Sequence, residues 1–534
     1  MTISRRDLLK LGASTGILAV FPRPLLAQVG ARPEPVPPIE DPRLKALALR
    51  ALEAARNAGA SYADVRLTHT RTRNFSGTMI SGVQDREQMV VGMRALVNGY
   101  WGFASGPVWS PDEMARLGRE AVHQAKTNSI GKSRVVELAP APVVTDGHWV
   151  MPVKFDAFET SPFEIVDHLR SLSLFAQRTT GASVPNNSCK FIAQEKAFAS
   201  TPGSYCTQRL YTSQGVLGLQ LKKGEQVGRL ALDLLTPAGL GWELYTDQPL
   251  REAIRQKIAE IEEDMALPVK PVEVGRYDTV FDARSMSSLL DETLGRATEL
   301  DRALGYEANA GGTSYLNDPF AMVGSYQAGS PLLTMTANRS TPGGAATVQW
   351  DDEGIAPEEF TVVEDGVLTD FQTTRESAGW LADYYVKQGT PVRSHGCANA
   401  PSALEVQMQH APNLVLVPGR EALDFDAAVA GIANGIAVKE VGLDMDFQSS
   451  SGLGTGRAYE IKQGKRVARL SSAGLLFRAP ELWKGLRALG GPQSVRRFGM
   501  QASKGEPAQG THHSVTAPPA VYEQLTFIDV SRKA

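Results

Sequence analysis

The sequence is short of the residues that usually announce a chemistry. Three cysteines, Cys189, Cys206 and Cys397, occur in 534 residues, too few for a disulfide framework. A single Cys189–Cys206 bridge in an oxidising compartment and three small buried hydrophobes both remain open. Basic charge is not in excess: 55 Lys and Arg face 58 Asp and Glu, for a formal net charge of −3. That leaves no electrostatic footprint for a nucleic-acid backbone. Beyond the N-terminus no apolar run is long enough to cross a bilayer. There is no Gly-x-Ser-x-Gly nucleophile elbow and no fixed-period repeat. The glycine-rich "SSSGLGTGR" at 449–457 lacks the Gly-Lys-Ser/Thr ending and the following helix of a phosphate loop, and is expected to be a flexible loop between strands. What remains is an ordinary globular composition, 42% hydrophobic and 21% charged. The chain is too long for one core, so two or three domains are expected.

The N-terminus is more specific. "SRRDLLK" at 4–10 precedes the mildly apolar "LGASTGILAVF" and then "PLLA", which ends at Ala27. A charged region, a short apolar region and a small residue at a cleavage point together make a secretory signal. The pair Arg5-Arg6 before Asp-Leu-Leu-Lys resembles the twin-arginine export signal; a basic amphipathic helix is the alternative. That export route implies a periplasmic mature chain with its signal, residues 1–27, removed near Ala27. Residues 28–41 are proline-rich and read as an extended tether.

Element signals divide the rest into three. In 42–130, a helix stops at Gly59, "YADVRLTHTR" reads as a strand, and "MVVGMRALVNGYWGFAS" alternates about Asn98-Gly99, a strong hairpin signal. Ser110 is placed to cap a second helix. The pattern predicts an N-terminal α/β unit with an antiparallel sheet. In 131–268, two helical patterns flank strand-like runs, giving a middle α+β unit. "ALPVKPVEVG" marks a hinge. Residues 271–534 are β-rich, with hairpins expected at Asp365-Gly366 and Gln463-Gly464. The fold class is α+β.

The C-terminal unit opens on a helix containing "DETLGRATELD" at 291–301. It carries acids at Asp291, Glu292, Glu299 and Asp301, one arginine, Arg296, and no histidine. A solvated acidic helix with internal ion pairs is the plain reading. Together with "GASYADVRL", "GMRALVNGYWGFAS", "WDDEGIAPEEFTVVEDGVLTDF", "VRSHGCANAP" and "GRAYEIKQGK", however, this stretch resembles the TldD/PmbA family, metallopeptidase-related proteins also called modulators of DNA gyrase. These segments follow the family's order over most of the mature chain.

The resemblance implies a helix reading His-Glu-x-x-x-His, then Gly-Leu-Glu-Gly-Asp, with a late cysteine as third metal ligand. Laid over that pattern, this chain keeps Glu292, the position of the family general base, with Gly295, Glu299 and Asp301. It departs at both histidines, where Asp291 and Arg296 stand, and at the cysteine, where Ala502 falls. A catalytic zinc needs three protein ligands and an open position. A guanidinium is permanently protonated and has no lone pair to donate. Arg296 is expected to neutralise Glu292, four residues earlier, and with it Asp291, taking over the electrostatic role of a lost metal. No cofactor is therefore expected in this chain.

The resemblance implies a non-catalytic subunit whose metal-bearing partner, of the TldD type and zinc-loaded, hydrolyses peptides or unfolded chains. Dimerisation with a second copy is the other arrangement. The degenerate member would help enclose a chamber and hold the peptide as an extended strand. Two rivals stand beside this: an active metallopeptidase with replacement ligands and Glu292 as general base, and a periplasmic binding or assembly module. Replacement ligands would come from His395, Cys397 and one of His512 and His513, or from the carboxylates Asp291, Glu292, Glu299 and Asp301, which suit Mg²⁺, Ca²⁺ or Mn²⁺. Adjacent histidines so late in a chain read otherwise as an exposed tail. Asp351 and Asp352 in "WDDEG", with Glu299, Asp301 and His395, are expected near the cleft.

Overall fold

The computed structural model describes residues 41–77, 82–130 and 135–531. The expected export signal, residues 1–27, and most of the expected tether, residues 28–41, lie outside the described residues.

The first helix, Pro42–Ala58, starts where the Asp41 carboxylate accepts the Arg43 amide and stops at Gly59, whose φ of 103° suits only a residue without Cβ. Ser110 caps Pro111–Asn128 by accepting from the Glu113 amide. The hairpin between Gly82–Val97 and Tyr100–Gly106 turns through Asn98 and Gly99 at φ 53° and 81°. Two consecutive positive φ values make the turn whose twist matches that of the strands.

Residues 42–130 and 131–268 do not form separate bodies. Tyr62–Ser76 pairs on one side with Gly82–Val97 and on the other with Ser183–Ser200, which continues to Tyr205–Lys223. The result is one seven-stranded sheet. Two apolar clusters share it. Leu52, Val65, Met93 and Leu117 pack under the first two helices. Ile165, Leu169, Phe191 and Ile254 pack under Pro162–Thr180 and Leu250–Ala266.

The C-terminal domain holds a six-stranded and an eight-stranded sheet. In the larger one, Asn434–Met445, Gly275–Phe281, Ala520–Asp529, Ala473–Arg478 and Ser451–Lys462 pair in succession, and the last pairs back to the first, closing a ring. "SSSGLGTGR" is thus largely strand, not loop: Gly452 to Thr455 pair on both edges, with Asn434–Met445 and with Ala473–Arg478. The smaller sheet runs Val367–Leu368, Phe360–Glu364, Met335–Asn338, Asn413–Leu416, Gln509–Ala517 and Arg496–Lys504. The Asp365-Gly366 and Gln463-Gly464 turns are present with positive φ at all four residues. Ala283–Leu290, capped by Asp282, buries Met286, Leu289 and Leu290 in the same apolar cluster as Val438 and Val515, one from each sheet.

"WDDEG" is an anchor between the halves rather than a wall of the cleft, correcting the expectation for Asp351 and Asp352. Asp352 accepts from Arg66 Nη1 at 3.2 Å and Lys196 Nζ at 2.7 Å, both on the seven-stranded sheet, and from the Ala400 amide at 2.7 Å. Glu353 accepts from Arg94 at 3.2 Å and from the Arg375 amide at 2.7 Å. Asp351 locks the turn itself, accepting the Glu353 and Ile355 amides at 2.9 Å. These groups are buried, so each charge depends on its partner. Asp352→Ala leaves two cations buried beside an uncharged methyl and is expected to cost about 3–5 kcal/mol, read as a lower urea midpoint. A midpoint equal to that of the unmodified chain would show that the clamp contributes nothing.

Candidate functional site

The acidic stretch is neither solvated nor a regular helix. After Leu290 the chain widens into a π turn over Asp291–Gly295, where the Arg296 amide donates to the Asp291 carbonyl at 2.9 Å. Turns of this kind concentrate at functional sites. Gly295 permits it: a Cβ there would meet Leu414 Cδ1 at 2.7 Å and Asp291 Oδ1 at 3.2 Å. Leu300–Ala303 then resumes as a separate short helix.

The widened turn aims its first two acids at different cations. Asp291, 8% exposed, meets Nε2 of His513, 1% exposed, at 2.8 Å. His513 comes from Gln509–Ala517 in the six-stranded sheet, so the late histidine is a core residue, not an exposed tail. Burial alone would strip the charge from both groups. The Asp291 carboxylate outweighs that and, with Glu299, holds His513 above its ordinary value; the imidazole holds Asp291 below its own. Glu292 takes Arg296: Nε to Oε2 is 2.9 Å and Nη2 to Oε1 3.0 Å, a two-pronged pair. The expected i,i+4 pair has formed, but among the described residues the Arg296 guanidinium hydrogen-bonds Glu292, and the direct partner of the Asp291 carboxylate is the histidine. Burial and the Asp291 charge still push Glu292 above its ordinary value despite the guanidinium.

Glu299 and Asp301 belong to a third arrangement. Lys504 Nζ stands 2.7 Å from Glu299, 2.9 Å from Asp301 and 3.0 Å from Glu307. Among the described residues these three acids are the one group of three or more potential ligands whose donor atoms lie within 4.8 Å of one another. The carboxylate site expected from sequence therefore forms with different members, without Asp291 or Glu292, around an ammonium. Burial and the crowding of Asp301 and Glu307 push Glu299 up to about 7 against the pull of Lys504. Ala502 lies between Met500 and Lys504 on Arg496–Lys504, in register with Thr511 as Met500 is with His513. Alternation puts Met500, Ala502 and Lys504 on one face. Lys504 and Glu307 went unrecognised in the sequence, and His513, considered there as a replacement ligand or a tail residue, was not matched to Asp291. The two-residue step from Ala502 to Lys504 along a strand was the available signal for the lysine.

Asp291 and Glu292 open onto a cleft of about 810 Å³, walled by the seven-stranded sheet on one side and by the Ala283–Leu290 helix and Arg496–Lys504 on the other. A second chamber of about 290 Å³ shares Lys190, Gln214 and Gln501 with it and reaches His512. Burial, Lys190 and His513 push His512 down to about 4, so it is a neutral imidazole at neutral pH.

Residues 274–529 match the PmbA/TldA metallopeptidase C-terminal domain, and residues 63–125 match the PmbA/TldA metallopeptidase domain 1. The chain belongs to the PmbA/TldD family. A Methanocaldococcus jannaschii metalloprotease is 22% identical over 60% of this chain and 67% of its own. One from Methanothermobacter thermautotrophicus is 25% identical over 71% of this chain and 76% of its own. Among solved structures, TldE from Thermococcus kodakarensis superposes with a TM-score of 0.70 at 15% identity, covering 91% of this chain and 99% of that one. A candidate DNA gyrase modulator from Thermotoga maritima gives 0.69 at 16% identity, covering 91% of this chain and 100% of its own. At such identities the two structures establish the fold.

The family implies a divalent metal, and the residues present do not fit it. Asp291 is already engaged by an imidazole, Arg296 has no lone pair, and Ala502 has no donor atom. Nor does the structure assemble the His/Cys alternative. His395 stacks on Phe360 at 3.9 Å between Asp370, at 2.9 Å, and Glu358, at 3.6 Å, beside a different depression. Those two acids outweigh burial and raise it to about 9. Cys397 is buried, its thiol pushed up to about 12 by desolvation. Cys189 and Cys206 are free and buried, with no bridge between them.

The His513–Asp291 pair sets a pH window. His513, raised when folded, stabilises fully below its ordinary 6.5 and ceases to do so as pH rises through its folded value. Asp291, lowered when folded, stabilises fully above its ordinary 3.8 and ceases to do so as pH falls through its folded value. The stability lost in Asp291→Asn, about 1.5–3 kcal/mol, is expected to be greatest between pH 3.8 and 6.5 and to shrink on either side. Urea midpoints of both proteins across pH check this; a difference flat with pH contradicts it.

Proposed function

We propose that this chain is the non-catalytic subunit of a two-subunit, PmbA/TldD-type metallopeptidase acting on peptides or unfolded chains outside the cytoplasm. One observation carries the reading. Both helix positions at which the family supplies metal ligands here hold side chains committed to ion pairs of the protein's own making, Asp291 with His513 and Glu292 with Arg296. Hydrolysis then needs a metal held by another polypeptide, a TldD-type subunit. The cleft supports a role in receiving the substrate. Arg496–Lys504 is the edge strand of the six-stranded sheet, and its Gly499, Met500 and Gln501 line the cleft. An extended peptide can add to such an edge. Export rests on the sequence of the first 27 residues.

The purified chain is expected to hold far less than one equivalent of zinc and to cleave no peptide alone. A metal-bearing relative should bind it, and the pair should cleave peptides in a chelator-sensitive manner. Stoichiometric zinc with chelator-sensitive cleavage by the isolated chain would establish the replacement-ligand enzyme instead. Capture of no metal-bearing relative would favour a self-contained binding module. For export, replacing Arg5 and Arg6 by lysine is expected to retain the precursor in the cytoplasm on cell fractionation. Undiminished periplasmic protein would refute the twin-arginine route.

A further inference from the structure

Two cations face the cleft without an ion-pair contact among the described residues, although Arg284 adds a longer-range pull on Asp291. Lys190 stands on Ser183–Ser200 and lines both chambers; Arg284 stands in the first turn of Ala283–Leu290 and lines the larger. One comes from each wall, and both are half-buried. Among the described residues neither forms an ion pair. Arg284 donates to Met500 Sδ at 3.7 Å and lies 5.1 Å over the Phe498 ring, which leaves most of its guanidinium donors unused.

The acids nearby do not cancel them. Among the described residues, Asp291 and Glu292 are the two carboxylates lining the larger chamber, and each has its own ion-pair partner, His513 or Arg296. Among the described residues, the smaller chamber is lined by Lys190, Arg339 and His512 and by no Asp or Glu. Arg339 is turned away onto the carbonyls of Ala346, Gly396 and Ala398. A chain of formal net charge −3 thus holds a positive cleft. Low-dielectric walls concentrate that field on whatever enters.

We propose, on the reading of this cleft as a peptide site, that it selects its ligand by a carboxylate, which Lys190 and Arg284 receive from opposite walls. The guanidinium fork matches both oxygens of a carboxylate, and the lysine adds a mobile point charge. Neutral amides at Asn74, Gln214 and Gln501 are available to a peptide backbone. The carboxylate is either the C-terminus of the peptide or an acidic side chain within it.

Fluorescence anisotropy on the purified chain separates the two. The probes are one labelled decapeptide of Gly, Ser and Ala as the free C-terminal acid, as the amide, and as the amide with a central Glu. One or both carboxylate-bearing forms are expected to bind at least about tenfold more tightly than the plain amide, which is the strength of one charge-assisted hydrogen bond. The preference is expected to weaken with added salt and to vanish in Arg284→Gln and Lys190→Gln. Tighter binding of the free acid alone assigns a C-terminus; tighter binding of the Glu form alone assigns a side chain. Equal binding of all three probes, or a preference that survives both substitutions, overturns the carboxylate proposal while leaving peptide binding intact. Binding of none overturns the peptide reading of the cleft and the proposal with it. The comparison of probes on the unsubstituted chain needs no variant to fold.

Discussion

A carboxylate sunk into a protein must have a cation within hydrogen-bonding reach or give up its charge. Around residues 291–307 this chain meets that constraint from its own side chains: His513 for Asp291, Arg296 for Glu292, and Lys504 for Glu299, Asp301 and Glu307. Two of the three cations arrive on adjacent strands of the six-stranded sheet, His513 on Gln509–Ala517 and Lys504 on Arg496–Lys504. The same contacts therefore fix where the π turn docks and what charge faces the cleft. Here ammonium, guanidinium and imidazole do this electrostatic work.

The consequence for the cleft is a change of sign. Internal pairing removes Asp291 and Glu292 from the charge available to a ligand, so Lys190 and Arg284 dominate what an incoming molecule meets. The cleft can exist because its walls are held apart and in register elsewhere. That is the office of Asp352 and Glu353, whose buried pairs with Arg66, Lys196 and Arg94 tie the seven-stranded sheet to the C-terminal domain. Anchoring and the lining of the cleft thereby fall to different acidic clusters of one chain.

Local features were legible in the sequence. The caps at Asp41 and Ser110 and the turns at Asn98-Gly99, Asp365-Gly366 and Gln463-Gly464 depend on side chains and φ values within a few residues. The Glu292–Arg296 pair follows from helical spacing. Features set by distant pairing were not. Nothing near Tyr62–Ser76 shows that its second neighbour is Ser183–Ser200, so one sheet was divided at residue 130. His513 read as tail because its meaning lies 222 residues away, at Asp291. Asp351 and Asp352 read as cleft because family position was the guide, whereas burial and partners from another sheet decide their role. The π turn hid within an apparently regular helical stretch because the i+5 hydrogen bond from Arg296 to Asp291 is set by packing against Gly295.

The central claim is that the protein's own cations occupy the place of a metal. Crystals of the isolated chain soaked in zinc, with anomalous maps collected above and below the zinc edge, test it most directly. The account predicts no zinc peak within bonding distance of Asp291, Glu292 or the Glu299–Asp301–Glu307 cluster, with the His513 and Lys504 contacts intact. An ordered tetrahedral zinc beside Glu292, with Arg296 swung away, would contradict it.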